Sequence, residues 1–327
     1  MNTISHGGAQ AAASGPAAQL PALSMIIPAR GDPRLLQANV ASLLSGTGGA
    51  ETEIIVVTAP GASAWTARRG MDAFASDGRV QVITAAADEA PCNAGLQVAC
   101  GDYVGFMAPG DMAGPGWAGI LLRAAAAEHR ALIKGEGQIL VQGQELPLPR
   151  SCAIIARHTP LHWHTLPQTA IYRRTLVQEH GLRFAAEGVT GEADFLVRAL
   201  VAAMLEEGAI TLCPQAICRL QYRSVSRSRY SVGRTQAERE LAICSGVHEL
   251  LLRHHAALPA AGVGVQYCVW VSRVMDLTRS AAHPACGAAA NALAQRMRLE
   301  CPCPEAYEDE QNLLRNLFQD LGRHTAH

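Results

Sequence analysis

Four short apolar runs, Leu23–Ile27, Ile54–Val57, Val80–Ile83 and Tyr103–Met107, alternate with stretches of helical periodicity. That alternation predicts an α/β chain with a parallel sheet, because parallel neighbours need a long crossover, usually a helix, to bring the chain back along the sheet. Between the first two runs Asp32 is placed to cap a helix with Pro33 at its first position, and Leu36, Val40, Leu43 and Leu44 share one face. Ser63 is placed to cap a second helix reaching about Phe74, and further helices are predicted over Asn93–Ala99 and Gly114–Ala127. The repeated strand-helix unit reads as a Rossmann-like half.

The middle of the chain changes character. Ile133–Leu146 alternates polar and apolar residues around Gly135, Gly137 and Gly143, which predicts a β-hairpin or flap. Gly181 suits the position just past a helix end, and Gly191-Glu192 leads a helix through Leu205. From Thr235 onward the pattern is helical, over Glu238–His255, Ala285–Leu299 and Glu308–Leu321, with Pro302 and Pro304 as breaks. We expect a leader without fixed structure over 1–21, an α/β domain over 22–230, and a helical C-terminal extension over 231–327.

Composition excludes several classes. With 49% hydrophobic residues the chain has ample material for a core, and its net charge of −1 gives no basic field for nucleic acid. Lys134 is the only lysine; the other basic side chains are arginines, whose planar fork suits phosphate and carboxylate. The 10 cysteines are scattered without a Cys-x-x-Cys pair, so reduced thiols in a cytoplasmic protein are expected. The most apolar stretch, Ala256 to Val271, is interrupted by Pro259, Gln266 and glycines, so no membrane-spanning helix is predicted.

Several blocks resemble, in order, those of family 2 glycosyltransferases of the bacterial capsule and exopolysaccharide type. Leu23-Ser24-Met25-Ile26-Ile27-Pro28 resembles the first strand, and Glu53–Val57 stands where the second lies. Cys92-Asn93-Ala94-Gly95-Leu96 with Gly101–Met107 is similar to the "Arg-Asn-x-Gly-Leu … Gly-x-Tyr" block. That block ends in "Asp-x-Asp-Asp" in the family and in Ala108-Pro109-Gly110-Asp111 here. Tyr172-Arg173-Arg174, Gly181–Phe184 and Gly191-Glu192 match "Tyr-Arg-Arg … Gly-x-x-Phe … Gly-Glu-Asp", and Cys218 to Ser228 matches a further strand and loop block. The likeness covers about residues 22–229 and implies a GT-A fold, a mixed Rossmann-like sheet flanked by helices. It also implies transfer of a sugar from a nucleotide-sugar donor to a saccharide or lipid-linked acceptor in surface-polysaccharide synthesis, with inversion. The location it implies is cytoplasmic, peripheral at the inner membrane face or against a partner enzyme.

The resemblance carries roles onto particular residues. Pro28, Arg30, Thr58, Asp88, Asn93, Asp111, Arg223 and Ser226 fall where the donor is bound; Trp163 and His164, read from the residues alone beside His158 and His162, either line an acceptor pocket or belong to a loop. Such a transfer needs a base for the acceptor hydroxyl and positive charge on the departing diphosphate. Glu192 holds the family's Glu, whereas Ala193 replaces the Asp that usually acts as base and Asp194 lies one residue further on; the base is therefore Glu192 or Asp194. The positive charge is either Mg²⁺ or Mn²⁺ at Asp111, the one acid kept from the motif, or no metal at all, with Arg30, Arg223, Arg227 and Arg229 in its place. A second reading follows from the lost acids: a degenerate member that binds a nucleotide, glycan or partner as a scaffold. A third is an unrelated Rossmann-like enzyme such as a nucleotidyltransferase.

Overall fold

The computed structural model describes residues 21–30, 32–46, 52–61, 68–141, 144–146, 167–186, 189–221, 233–281, 283–309 and 311–312. The chain opens with strand β1 (Leu23–Ala29), helix α1 (Pro33–Gly46), β2 (Thr52–Thr58), β3 (Val80–Thr84), α2 (Pro91–Val98) and β4 (Tyr103–Phe106). There follow β5 (Met112–Ala113), α3 (Trp117–Glu128), β6 (Leu132–Val141), β7 (Gln144–Leu146), β8 (Ala170–Arg173) and α4 (Arg174–Glu179). Helix α5 (Val189–Glu207) and β9 (Thr211–Gln221) complete the sheet layer. Helices α6 (Arg234–His254), α7 (Ala260–Ser280) and α8 (Pro284–Leu299) lie beyond it.

All nine strands form one sheet in the order β3-β2-β1-β4-β8-β6-β9-β5, with β7 paired to β6 off that path. The run from β3 to β4 is parallel; β8 is antiparallel to both β4 and β6, and β6 runs parallel to β9. Strand β5 starts shortly after β4 ends, yet it pairs with β9 at the far end of the path. Four strand spacings would be about 19 Å on a flat sheet, and the connecting loop contains a turn closed by Asp111 N–H to the Ala108 carbonyl at 3.0 Å. The sheet therefore curls. The β6–β9 ladder breaks at Gly135/Glu136, opposite Pro214, which has no N–H to give.

Strand alternation distributes the core to both faces. Met25, Ile27, Ile54 and Val56 meet Leu36, Val40 and Leu43 of α1 and Trp117 and Leu121 of α3. Ile26, Ile55, Val57 and Phe106 face the other way, toward α2 and α5. Helix α5 is buried on nearly every side, from Ala193 to Met204, which marks an element packed between two layers. Its outer neighbours are the C-terminal helices: Ile243, Val247 and Leu251 of α6 and Tyr267, Trp270 and Val274 of α7 belong to the same continuous core. His248 joins these helices, its Nδ1 standing 3.0 Å from Tyr267 Oη and its Nε2 2.9 Å from Glu300.

The Asp32 cap is present, accepting the Arg34 N–H at 2.9 Å, and Gly181 takes φ 58° just past α4. Other expectations need correction. The segment 133–146 contains a hairpin, but its first strand is a full member of the sheet and not a flap, because both of its edges are paired. The helix expected from Gly114 starts at Trp117, since Met112–Ala113 are claimed by β5 and Gly116 turns the chain at φ 69°. In the segment expected to be a helix to Phe74, a single turn at 68–70 gives way to a 3₁₀ turn at Asp72–Phe74, and residues 62–67 lie outside the described residues. The interrupted run at 256–271 falls mostly within α7, where a Cβ on Gly264 would meet the Ala306 backbone at 2.6 Å. Of the last predicted helix only its start at 304–309 and 311–312 is described. Among the described residues no helix is long and apolar enough to cross a membrane.

Candidate active site at the carboxyl edge of the sheet

Strands β1, β2 and β4 are in parallel register, so Ala29, Thr58 and Phe106 all end at one edge. The crossovers from β1 to β2 to β3 step one way across the sheet, and β4 then inserts on the other side of β1. Such a reversal opens a crevice between neighbouring loops, and in open α/β sheets ligands bind there, outside the carboxyl ends. By that rule the candidate crevice lies between Pro28–Arg30 and the loop from Met107 to Asp111.

That loop is held from beneath. Asn39, buried in α1, donates from Nδ2 to the carbonyls of Ala108 (3.0 Å) and Asp111 (2.5 Å) and accepts the Gly110 N–H at 2.9 Å. Asp111 is 3% exposed, and its Oδ2 accepts the Ala108 N–H at 3.1 Å. A divalent cation bridging a diphosphate takes oxygen ligands, one or two of them from protein carboxylates and the rest from phosphate and water. The loop supplies Asp111 alone, and among the described residues no three His, Cys, Asp or Glu side chains come together to hold a metal. Among the described residues the loop therefore offers Mg²⁺ or Mn²⁺ one carboxylate, and that one is buried and bonded to the Ala108 N–H.

The other donor-side residues divide between the edge and the scaffold. Pro28 is buried in β1 opposite Val57, and Arg30 is exposed directly after it. Thr58 turns its hydroxyl to the Ile83 carbonyl and to Thr84 Oγ1, both at 3.1 Å, bracing β2 against β3. Asp88 is exposed in the turn before α2. Helix α2 begins at Pro91, so Asn93 lies inside its first turn and not at its opening. The Asn93 side chain donates to the Phe184 carbonyl (3.0 Å) and accepts the Phe184 N–H (2.9 Å), which commits both ends of its amide. Phe184 in turn stacks on Phe195 of α5 at 4.3 Å, tying the α2 turn to α5.

The two candidate bases go to different places. Before β8 a 3₁₀ turn, Pro167–Thr169, sits beyond the carboxyl end of β4, since Gly105 pairs with Ile171. Glu192, half-buried in the first turn of α5, accepts from Gln168 Nε2 at 2.9 Å and so stands at this edge. Gly191 allows that turn its position: a Cβ there would run into the Ala186 carbonyl. Asp194 is 1% exposed and faces a pocket of about 380 Å³ between α5, α6 and the 180–185 segment, where Arg198 donates to it at 2.7 Å. Burial raises the Asp194 carboxyl above its usual value, with Arg198 opposing the shift.

Lys134 lies level with Ala170 in β6, fully buried, and donates from Nζ to Thr169 Oγ1 at 2.7 Å. Desolvation pulls its pKa down to about 7. The Cys218 thiol, pushed well up by burial and by the Asp111 charge and lowered by Lys134, lies within reach of both charges. Asn39, Lys134, Thr169 and Gln168 were not assigned to the site from sequence. The signals were an Asn between Leu36 and Val40 on an apolar helix face and a lone lysine inside an apolar strand. Trp163, His164, Arg223, Ser226, Arg227 and Arg229 lie outside the described residues.

A curled mixed sheet, a switch-point crevice at its carboxyl edge and helices on both faces make this an α/β GT-A-like fold with a helical C-terminal part. Among solved structures, it is similar to that of S. aureus TarS 1-349 in complex with UDP-GlcNAc, at 16% identity and a TM-score of 0.54 over 90% of this chain and 91% of that one. The same TarS segment in complex with UDP superposes at 15% identity and a TM-score of 0.53, with the same coverage. A longer TarS structure gives 16% identity and a TM-score of 0.51 over 88% of this chain and 55% of that one. No protein-family model matches the sequence, and no curated protein matches it.

Proposed function

We propose that the chain is a glycosyltransferase moving a sugar from a nucleotide-sugar donor to a saccharide or lipid-linked acceptor in surface-polysaccharide synthesis, on the cytoplasmic side of the membrane. One arrangement carries the reading: Glu192 stands beside the switch-point crevice of a GT-A-like fold, and a solved structure of similar fold holds UDP-GlcNAc. Glu192 takes the proton of the acceptor hydroxyl, whose oxygen attacks C1 of the donor sugar. The bond from C1 to the diphosphate oxygen breaks, and the nucleoside diphosphate leaves with the electron pair, inverting the anomeric centre. Asp194, committed to Arg198 in a separate pocket, is the weaker candidate for this proton. The diphosphate charge is met by arginine, by Arg30 at the edge and by Arg223 outside the described residues, and not by a protein-held metal.

The single loop carboxylate also favours a second reading, a binding or scaffold module of the same fold. Release of UDP from UDP-GlcNAc, or of the matching diphosphate from other nucleotide sugars, separates the two. Turnover that is lost in Glu192→Gln while nucleotide binding persists supports the transferase. Binding without turnover in the unaltered protein supports the module, and turnover unchanged in Glu192→Gln removes Glu192 as base.

A further inference from the structure

We propose that the hollow between α5, α6 and the 180–185 segment binds a phosphate monoester that carries an apolar body. The hollow holds about 380 Å³. It is separate from the crevice: Asp194 follows Glu192 by two residues, about 200° round the helix, so the two acids face different sides of α5. This site stands independently of the transfer reaction proposed above.

One arginine of the hollow is set in place by its neighbours. Asp194 is 1% exposed, and its carboxylate takes Arg198 Nε–H at 2.7 Å. On α6, Gly246 leaves room for the guanidinium, since a Cβ there would stand 3.1 Å from Arg198 Nη2. Burying a carboxylate against a partly exposed arginine adds little stability, because desolvation of the acid offsets the attraction. What the pair does is fix the fork. Nε is bonded to Asp194, and the two terminal nitrogens have no hydrogen-bond partner among the described residues.

Arg183 and His254 line the same hollow, and neither has a polar partner among the described residues. His180 lines it too, held by Glu206 at 2.7 Å. Asp194 is the one carboxylate in the lining, so two permanent positive charges stand against one negative. A phosphate monoester brings up to two negative charges and three acceptor oxygens, and so uses more of these donors than a carboxylate can. The rest of the wall is apolar, with Leu182, Leu250 and the 43% exposed Leu205. Inorganic phosphate leaves that wall wet, whereas the organic group of an ester covers it.

The test is calorimetry of the full chain with inorganic phosphate and with hexyl phosphate, on the unaltered protein and on Arg198→Gln, with and without UDP. Hexyl phosphate is expected to bind about tenfold or more tighter than inorganic phosphate, and to lose about tenfold in Arg198→Gln. Unchanged affinity in Arg198→Gln overturns the proposal, and so does equal affinity for the two phosphates. Displacement of hexyl phosphate by UDP also overturns it, by putting the phosphate in the crevice. Failure of UDP to bind at all bears on the transferase reading only. If thermal melting shows Arg198→Gln to be unfolded, Arg183→Gln decides on the same terms, its side chain being exposed and without a partner among the described residues. Sedimentation with phosphatidylcholine vesicles containing phosphatidic acid distinguishes the sources of the ester. Binding to them that is lost in the same variant assigns a lipid phosphate, binding of hexyl phosphate without them assigns a soluble ester, and either supports the site.

Discussion

Asn39 and Asp111 are joined by a hydrogen bond from a helix side chain to a loop carbonyl, Nδ2 to O at 2.5 Å, across the width of the α1 layer. With the bonds to Ala108 and Gly110, Asn39 ties the β4–β5 loop to α1 at three points. Asn39→Ala leaves buried backbone groups of that loop unpaired, so we expect a stability loss of about 2–4 kcal/mol in urea unfolding. Nucleotide affinity should fall with it, even though Asn39 lies beneath the crevice. An unchanged unfolding midpoint would mean the loop holds itself.

Lys134 is charged at low pH only at the expense of burial. Its folded pKa of about 7 lies below the ordinary 10.5, so between these values the unfolded chain binds the proton and the folded one does not. Stability from this group therefore rises as pH climbs from 7 toward 10.5, and below 7 the burial penalty is at its full size of about 5 kcal/mol. Lys134→Met should raise the melting temperature more at pH 6 than at pH 9. As the chain has one lysine, selective isotope labelling gives a single side-chain resonance, expected to titrate near 7.

Glu192 and Asp194 diverge from one helix turn, and their substitutions should diverge as well. Glu192→Gln is expected to abolish transfer with little change in melting temperature. Asp194→Ala breaks its contact with the partly exposed Arg198 and should cost about 1 kcal/mol while leaving nucleotide affinity intact. Loss of turnover in Asp194→Ala at unchanged stability would move the base to Asp194.

Gly191 is needed for the approach of α5 to the 184–186 segment, because a side chain would collide with the Ala186 carbonyl. Gly191→Ala should destabilise by about 1–3 kcal/mol through a displaced helix start. It should reduce turnover more than nucleotide binding, since Glu192 follows directly. Equal loss of both would place Gly191 in the scaffold alone.

The parallel half of the sheet was legible because β1, β2 and β4 are largely buried apolar runs and the crossovers through α1 and α2 carry helical periodicity. Leu23–Ile27 and Ile54–Val57 needed only a residue or two at their ends. The far half was not, because its pairing depends on the curl of the sheet: two residues, Met112 and Ala113, become a strand only through β9. The same limit applied to the site. Glu192 was readable as an acid opening a helix, but its partner Gln168 is distant in sequence. The turn bearing Gln168 is fixed by Lys134 and Tyr172, contacts that no local pattern encodes. Asn93 was legible as a residue at the start of a helix, which in fact begins two residues earlier at Pro91, whereas its commitment to Phe184 is a tertiary fact.

The central claim is that the crevice between β1 and β4 binds a nucleotide sugar without a metal cage built from protein side chains. Calorimetric titration of the protein with UDP-GlcNAc and a panel of guanosine and thymidine diphosphate sugars, in Mn²⁺ and in EDTA, tests it directly. The account predicts that at least one of these donors binds, with the same affinity in both conditions. Binding by none of them, or binding only in Mn²⁺, would contradict it.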